Sequence, residues 1–278
     1  MKPDELIPVP VENIPDFWER LTNAPAAFLA LDYDGTLAPF QIDRMRAFPL
    51  SGISRLLERI NTKTRGGLAI VSGRAIAEIE TLLPLANLTL IGAHGFEIKR
   101  PGAEIIRREP KPIQAQGLAL ARIRLEQDGD ERLLEIKPAG IALHTRGLSF
   151  LDARTKESTV TGLFNDLAYD HDLEIRGFDG GIELRARGWH KGDAVRELIS
   201  GLKTDTFIVF IGDDETDEDV FRTLGTEGLG IRVGSDERPS AAHGRLKNIE
   251  DVRGFLACWL AMAPPGKPKG GSSWISAG

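Results

Sequence analysis

Two carboxylates one residue apart, Asp32 and Asp34, stand where the apolar run 28–31 gives way to Asp-Tyr-Asp-Gly-Thr. Successive strand side chains point to opposite faces, so an i, i+2 pair leaving a strand end faces one crevice and Tyr33 turns away. Such a pair can supply a nucleophile and an acid–base catalyst for attack at phosphorus. Asp and Gly also favour strand-to-turn junctions for conformational reasons alone, so the rest of the chain has to decide. Far downstream, a second apolar run at 207–211 is followed by Gly212-Asp-Asp-Glu-Thr-Asp-Glu-Asp219. Six acids in seven residues repel one another. A divalent cation would relieve that repulsion, and hard oxygen ligands favour magnesium. The same acids also suit a helix beginning near Glu218, capped by Thr216 or Asp217 and complementing its dipole. That second use leaves Asp213 and Asp214, at the strand end, unexplained.

Two further groups fall between these strands. The run 67–71 ends in Ser72-Gly73-Arg74 before a helical pattern at 75–83. A hydroxyl and free backbone amides at a helix start form an anion site, and Ser72 equally suits a plain N-cap. Lys191, just ahead of a helical run at 194–202, offers fixed positive charge to a phosphoryl group and to the Asp cluster, or is simply solvated. Between Ser72 and Lys191 lie alternating polar residues on short strands: Glu135 with Lys137, His144 with Arg146, and Glu183. They suit hydrogen bonding to sugar hydroxyls, and equally cross-strand charge pairs on a solvated face.

These groups need elements to position them. After a short leading helix at 15–21, strands at 27–32, 67–71 and 88–92 alternate with helices at 50–61 and 75–83. That rhythm specifies an α/β fold with a doubly wound parallel sheet covered on both faces. It breaks after Gly95. A hairpin pattern at 96–99 and 104–107, a helix at 113–126, strands at 133–138 and 141–145, a helix at 152–169 and strands at 173–177 and 181–186 describe an inserted α+β cap. Alternation resumes at Lys191, through strands at 207–211 and 228–232 and helices at 217–224 and 250–261. The expected organisation is an N-terminal extension at 1–25, a core at 26–103 and 188–263, a cap at 104–187, and a disordered tail at 264–278 rich in Pro, Gly, Ser and Lys. Ligands of open α/β sheets bind outside the carboxyl ends of the strands, where such a cap can close and exclude water.

The Asp32-Tyr-Asp-Gly-Thr36 stretch, Ser72-Gly-Arg74, Lys191 and Gly212-Asp-Asp-Glu-Thr-Asp217, each at a strand end or helix start, resemble the haloacid dehalogenase superfamily of phosphatases over most of the chain. More narrowly, the chain looks like the trehalose-6-phosphate phosphatase family, which carries a mobile cap after the third core strand. The narrower likeness adds Gly92-Ala-His-Gly95, Glu135-Ile-Lys137 with His144-Thr-Arg146, and Ile182-Glu-Leu-Arg185 ahead of His190-Lys-Gly192. Thr145 departs from the Tyr more usual between that His and Arg. The resemblance implies a Rossmannoid core and magnesium-dependent hydrolysis of trehalose 6-phosphate to trehalose and phosphate. It implies Asp32 as the nucleophile that forms an aspartyl-phosphate and Asp34 as acid, then base. It also implies Thr36, Ser72 and Lys191 on the phosphoryl oxygens, with Asp217 positioning Lys191. Magnesium would lie between Asp32, the Asp34 backbone carbonyl and Asp213, with Asp214 nearby. Arg74, Glu135, Lys137, His144, Arg146 and Glu183 would bind the substrate. The same chemistry on a sucrose, glucosylglycerol or mannosylglycerate phosphate is the nearest alternative. A phospho-accepting receiver or phosphate sensor shares strand-end acids, but needs neither Asp34 nor so long an insert.

Composition agrees with such an enzyme. At 278 residues with 41% hydrophobic content the chain can bury a sizeable core in two parts. A net charge of -6 argues against a nucleic-acid protein, so the Lys and Arg that meet an anionic sugar phosphate must be concentrated locally. The lone Cys258 permits no internal disulfide, which fits a reducing cytoplasm. The amino terminus lacks a secretory pattern. No apolar run approaches the roughly 20 residues of a membrane span, the run 255–262 being the nearest. The expected partner is a small molecule. The residues do not specify an oligomeric state, and a monomer is the simplest expectation.

Overall fold

Strict apolar alternation on the central strands determines which helices cover which face. The large sheet of the computed structural model, which describes residues 6–178 and 180–266, runs in the order β1 (Val9–Pro10), β13 (Gly244–Leu246), β12 (Leu229–Val233), β11 (Thr206–Gly212), β2 (Ala26–Leu31), β3 (Gly66–Val71), β4 (Thr89–Gly92), β5 (Glu97–Lys99) and β6 (Ile106–Arg107). Strands β1 to β4 and β11 to β13 pair in parallel, and only the β4–β5–β6 edge is antiparallel. Leu29, Leu31, Ile70, Val209 and Ile231 point to one face. There they bury α1 (Phe17–Asn23), α2 (Ile53–Lys63), α3 (Ile76–Leu82) and α8 (Ile249–Met262). Phe28, Ala30, Val71, Ile208 and Phe210 point to the other, against α6 (Lys191–Ile199) and α7 (Glu215–Leu224). Each such Leu, Ile or Phe contributes about 1.5–3 kcal/mol by leaving water, and both faces of β2 and β11 are buried, as parallel strands require.

A second sheet, β7 (Leu134–Lys137), β8 (Gly140–His144), β10 (Gly181–Ala186) and β9 (Leu173–Phe178), is antiparallel throughout. Its helices, α4 (Pro112–Gln127) and α5 (Phe150–Asp170), lie on one face only. Ile141, Leu143, Ile182 and Leu184 point to those helices, together with Leu125 and Phe164, in a separate hydrophobic cluster. By the pleat, Glu135, Lys137, Ala142, His144 and Glu183 occupy the opposite face. The α/β core with an α+β insert is therefore the observed architecture.

Three details differ from the sequence reading. Ile106–Arg107 pairs with β5 in the large sheet, whereas the reading puts residues 104–107 in the cap. The free edge of β4 takes up the hairpin's backbone groups, and the chain leaves for the second sheet afterwards. Strands β1 and β13 are too short to show a period and were not anticipated. Helix α7 begins at Glu215 with Asp214 as its N-cap, not near Glu218 with Thr216 or Asp217. The tail beyond residue 266 lies outside the described residues. Among the described residues, no helix is long and apolar enough to cross a membrane.

Candidate active site

Three adjacent parallel strands, β11, β2 and β3, end side by side, and the candidate catalytic residues follow on each. Asp32 and Asp34 follow β2, Ser72 and Arg74 follow β3, and Asp213 and Asp214 follow β11. All six, with Lys191 from the first turn of α6, line one cavity of about 660 Å³. Tyr33 turns away into the core and donates its hydroxyl to the Ala47 carbonyl at 2.9 Å. Lys191 is buried and its Nζ donates to Asp32 Oδ1 at 2.7 Å and to Asp217 Oδ1 at 2.9 Å. Burial works against that ammonium, but Asp217 and Asp32 outweigh it and raise its pKa well above the lysine norm. The other Asp217 oxygen accepts from the backbone N–H of Asp213 and of Asp214. The lysine and the acidic strand end are thereby held in one piece.

Asp32, Asp213 and Asp217 bring carboxylate oxygens within 4.8 Å of one another. Burial raises Asp32 well above the usual carboxylate range, with Lys191 acting against it and Asp217 and Asp214 adding to it. Asp213 is raised by burial and then by repulsion from Asp32, Asp214 and Asp217. A Cβ on Gly35 (φ +73°) would sit 2.0 Å from Asp213 Oδ2, so only glycine lets the turn after β2 lie against this acid. An all-oxygen donor set under mutual repulsion is what a hard divalent cation fits. Asp214 lines the same cavity, but its Oδ1 accepts from Thr216 N–H, Thr216 Oγ1 and Asp217 N–H. Burial raises its pKa, and Lys191 with the Thr216 hydrogen bonds brings the net shift below the norm. Its side chain is the helix cap, and Asp217 takes its place in the acidic trio.

Ser72 is not an N-cap. Its Oγ accepts from Arg74 N–H at 3.1 Å, while α3 begins after Ala75. Thr36 is fully buried with its hydroxyl unpartnered, and it does not line the cavity. Arg74 holds Asp34 in a two-pronged pair, Nε to Oδ2 at 2.6 Å and Nη2 to Oδ1 at 2.7 Å.

The second sheet supplies the facing wall. Across its strands Glu135 stands opposite Ala142, and Ala142 opposite Glu183, so a small residue floors the space between two acids. Gly140 does the same beside Lys137, since a Cβ there would meet Glu183 Oε1 at 2.8 Å. Lys137 Nζ lies 3.0 Å from Glu183 and 3.9 Å from Glu135, and His144 Nε2 lies 2.8 Å from Glu135. Burial pushes Glu135 up, but Lys137, His144 and Arg44 hold it down at about 2. Glu183 is likewise held low against burial by Lys137 and His94. Arg146 lines the cavity with its guanidinium over the Phe40 ring. These residues are therefore both charge pairs and cavity wall.

The cavity also holds residues that the sequence did not mark as site residues. His94 Nε2 meets Glu183 at 3.1 Å from a loop after β4; the Gly92-Ala-His-Gly95 motif was its signal. Arg44, Arg176, Phe178 and Arg238 carry no motif, and only the tertiary fold brings them in.

The fold is shared with a haloacid dehalogenase-like hydrolase from Bacteroides thetaiotaomicron, at a TM-score of 0.58 and 14% identity over 84% of this chain and 98% of that one. The chain belongs to the trehalose-phosphatase family, whose model matches residues 30–250. It is 30% identical to a bifunctional trehalose-6-phosphate synthase/phosphatase of Thermoproteus tenax, over 87% of this chain and 32% of that one. It is 30% identical to a probable trehalose-phosphate phosphatase of Arabidopsis thaliana, over 85% of this chain and 72% of that one. The C-terminal domain of a trehalose-6-phosphate phosphatase of C. albicans superposes with a TM-score of 0.79 at 22% identity, covering 94% of this chain and 100% of that one. The chain thus spans about a third of the length of the first curated relative it matches.

Proposed function

We propose that this protein is a magnesium-dependent phosphatase that hydrolyses trehalose 6-phosphate to trehalose and phosphate. One observation carries the reading. Asp32, Lys191 and Asp213 converge at the floor of a cavity of about 660 Å³ whose opposite wall is Glu135, Lys137 and Glu183. A phosphomonoester alone would not need that volume or that many buried hydrogen-bonding groups.

Asp32 has one oxygen on Lys191 and the other available. That oxygen bonds to phosphorus as the bond from phosphorus to the sugar O6 breaks, giving an aspartyl-phosphate. Asp34 delivers a proton to the departing oxygen, then takes one from the water that attacks phosphorus and restores Asp32. Lys191 and the Ser72 corner neutralise the phosphoryl oxygens. Asp32, the Asp34 backbone carbonyl and Asp213 would hold magnesium, which supplies charge neutralisation and alignment when bound. In the cap, Glu135, Lys137, His144, Arg146 and Glu183 exchange part of their mutual pairing for sugar hydroxyls.

The test is phosphate release across a panel of sugar phosphates. The expected result is turnover of trehalose 6-phosphate far above glucose 6-phosphate and above sucrose, glucosylglycerol and mannosylglycerate phosphates. Equal turnover of glucose 6-phosphate removes the disaccharide assignment, and binding without turnover replaces the enzyme by a phosphate sensor.

A further inference from the structure

The 3-10 turn Arg44–Arg46 puts Arg44 where the two sheets meet. Its Nη2 donates to Glu78 Oε1 of α3 at 2.5 Å, and its Nη1 forms an ion pair with Glu135 of β7. One guanidinium therefore joins the core to the cap. Glu78 reaches further. Its other oxygen faces Arg74 Nη1 at 3.7 Å, and Arg74 grips Asp34 with its two remaining edges. Neither Glu78 Oε2 nor Arg74 Nη1 has a hydrogen-bond partner, although both are buried.

The result is an unbroken alternation of charge, Asp34–Arg74–Glu78–Arg44–Glu135, with one slack joint. Each end belongs to a different part of the molecule. Glu135 belongs to the cap sheet, and Asp34 to the turn after β2. The slack joint is where the two ends compete. With the cap docked, Glu135 holds Arg44, Arg44 holds Glu78 Oε1, and Glu78 Oε2 is left facing Arg74 across the slack joint. Held there, it can draw Arg74 off Asp34, which Arg74 otherwise grips by both oxygens. Asp34 is unable to handle a proton while both of its oxygens lie against Arg74, so that hold bears on the rate.

We propose that Arg44 and Glu78 are positioning residues that register cap docking on Glu135 and pass it through Arg74 to the acid–base carboxylate Asp34. This deepens, and rests on, the reading of Asp34 as acid and base. The two residues touch neither the phosphoryl group nor its nucleophile. They act through Arg74 on one side and Glu135 on the other.

The experiment has two arms on the full chain. In the first, hydrogen exchange of the substrate-free protein is compared for wild type, Arg44→Gln and Arg44→Lys. Arg44→Gln is expected to speed exchange at 40–46 and 134–137 several-fold, with Arg44→Lys between it and wild type. Unchanged exchange overturns the core-to-cap tie whatever the enzyme's substrate. In the second arm, steady-state kinetics use a small aryl phosphate, which has no sugar to hold. Arg44→Gln and Glu78→Gln are each expected to lower kcat by about tenfold with KM within about twofold, and the double variant to be no slower than the slower single. Losses that multiply in the double variant, or a rise in KM confined to trehalose 6-phosphate, overturn the proposal and make Arg44 an ordinary sugar contact. A wild type inactive on every phosphate ester overturns the phosphatase reading, and with it the Asp34 end of the chain, and leaves the first arm to judge the tie. Should Arg44→Gln fail to fold, Arg44→Lys, which keeps the charge and loses the fork that reaches both acids, carries both arms.

Discussion

Lys191 spends hydrogens on Asp32 and Asp217 at once, which leaves Asp32 a single oxygen and one direction of approach to phosphorus. Asp32→Asn should therefore abolish turnover, by roughly 10⁴-fold or more, the scale seen when a nucleophile is removed. Asp34→Asn should cost on the order of 10²–10⁴-fold, the share of an acid–base group. Single-turnover kinetics separate them, and an Asp32→Asn protein that stays near wild-type activity rules out the covalent route. Glu135 permits a stability prediction with a definite sign. Its ordinary value is 4.5 and its folded value about 2, burial being overcome by Lys137, His144 and Arg44. A depressed folded pKa contributes stability that is present above about pH 4.5 and lost as pH falls toward 2. The stability gap between wild type and Glu135→Gln should thus be on the order of 3 kcal/mol at neutral pH and close across that window. Urea unfolding at a series of pH values measures it; a gap that stays constant with pH means those cations do not hold the carboxyl down.

Among elements, the cap sheet owes its working face to the pleat, which sends Ile182 and Leu184 to α5 and Glu183 to the cavity. Ala142 is the floor between Glu135 and Glu183. Ala142→Leu should fill that floor, raising KM for trehalose 6-phosphate by tenfold or more, on the order of 1.4 kcal/mol, while sparing a small aryl phosphate. Equal damage to both substrates would show that the sheet itself had shifted. Helix α7 offers a second check. Asp214 caps it and shares a reciprocal capping box with Asp217, so Asp214→Ala should lower stability by about 1–2 kcal/mol. An unchanged melting temperature would mean the cap adds nothing here.

For the whole molecule, the acidic centre ties stability to metal and pH. Burial and mutual repulsion raise Asp32 and Asp213, so just above the ordinary carboxylate range the folded chain holds protons there more tightly than the unfolded chain does, and a cation competes with them. Magnesium should raise the melting temperature, by the equivalent of about 2.7 kcal/mol at a hundredfold excess over its Kd, and by more near pH 7.5 than near pH 5, as the ligands deprotonate. Thermal unfolding in chelator and in magnesium at both pH values tests this, and a shift that shrinks as pH rises contradicts it. Chelation should also stop turnover. The sequence by itself determined the parallel core, the α+β insert and the strand-end groups Asp32, Asp34, Ser72 and Asp213, because strand and helix periods and short motifs are local signals. Residue type alone could not say that Asp214 would serve as a helix cap while Asp217 joined the acidic trio, since a cap and a ligand are the same carboxylate in different geometry. It was silent on Arg44 and Glu78, which lie 34 residues apart and acquire a role only when α3, the turn after β2 and the cap sheet meet. Long-range ion pairs have no period to read, and tertiary packing alone decided that Asp34 and Glu135 would stand at the two ends of one charged chain.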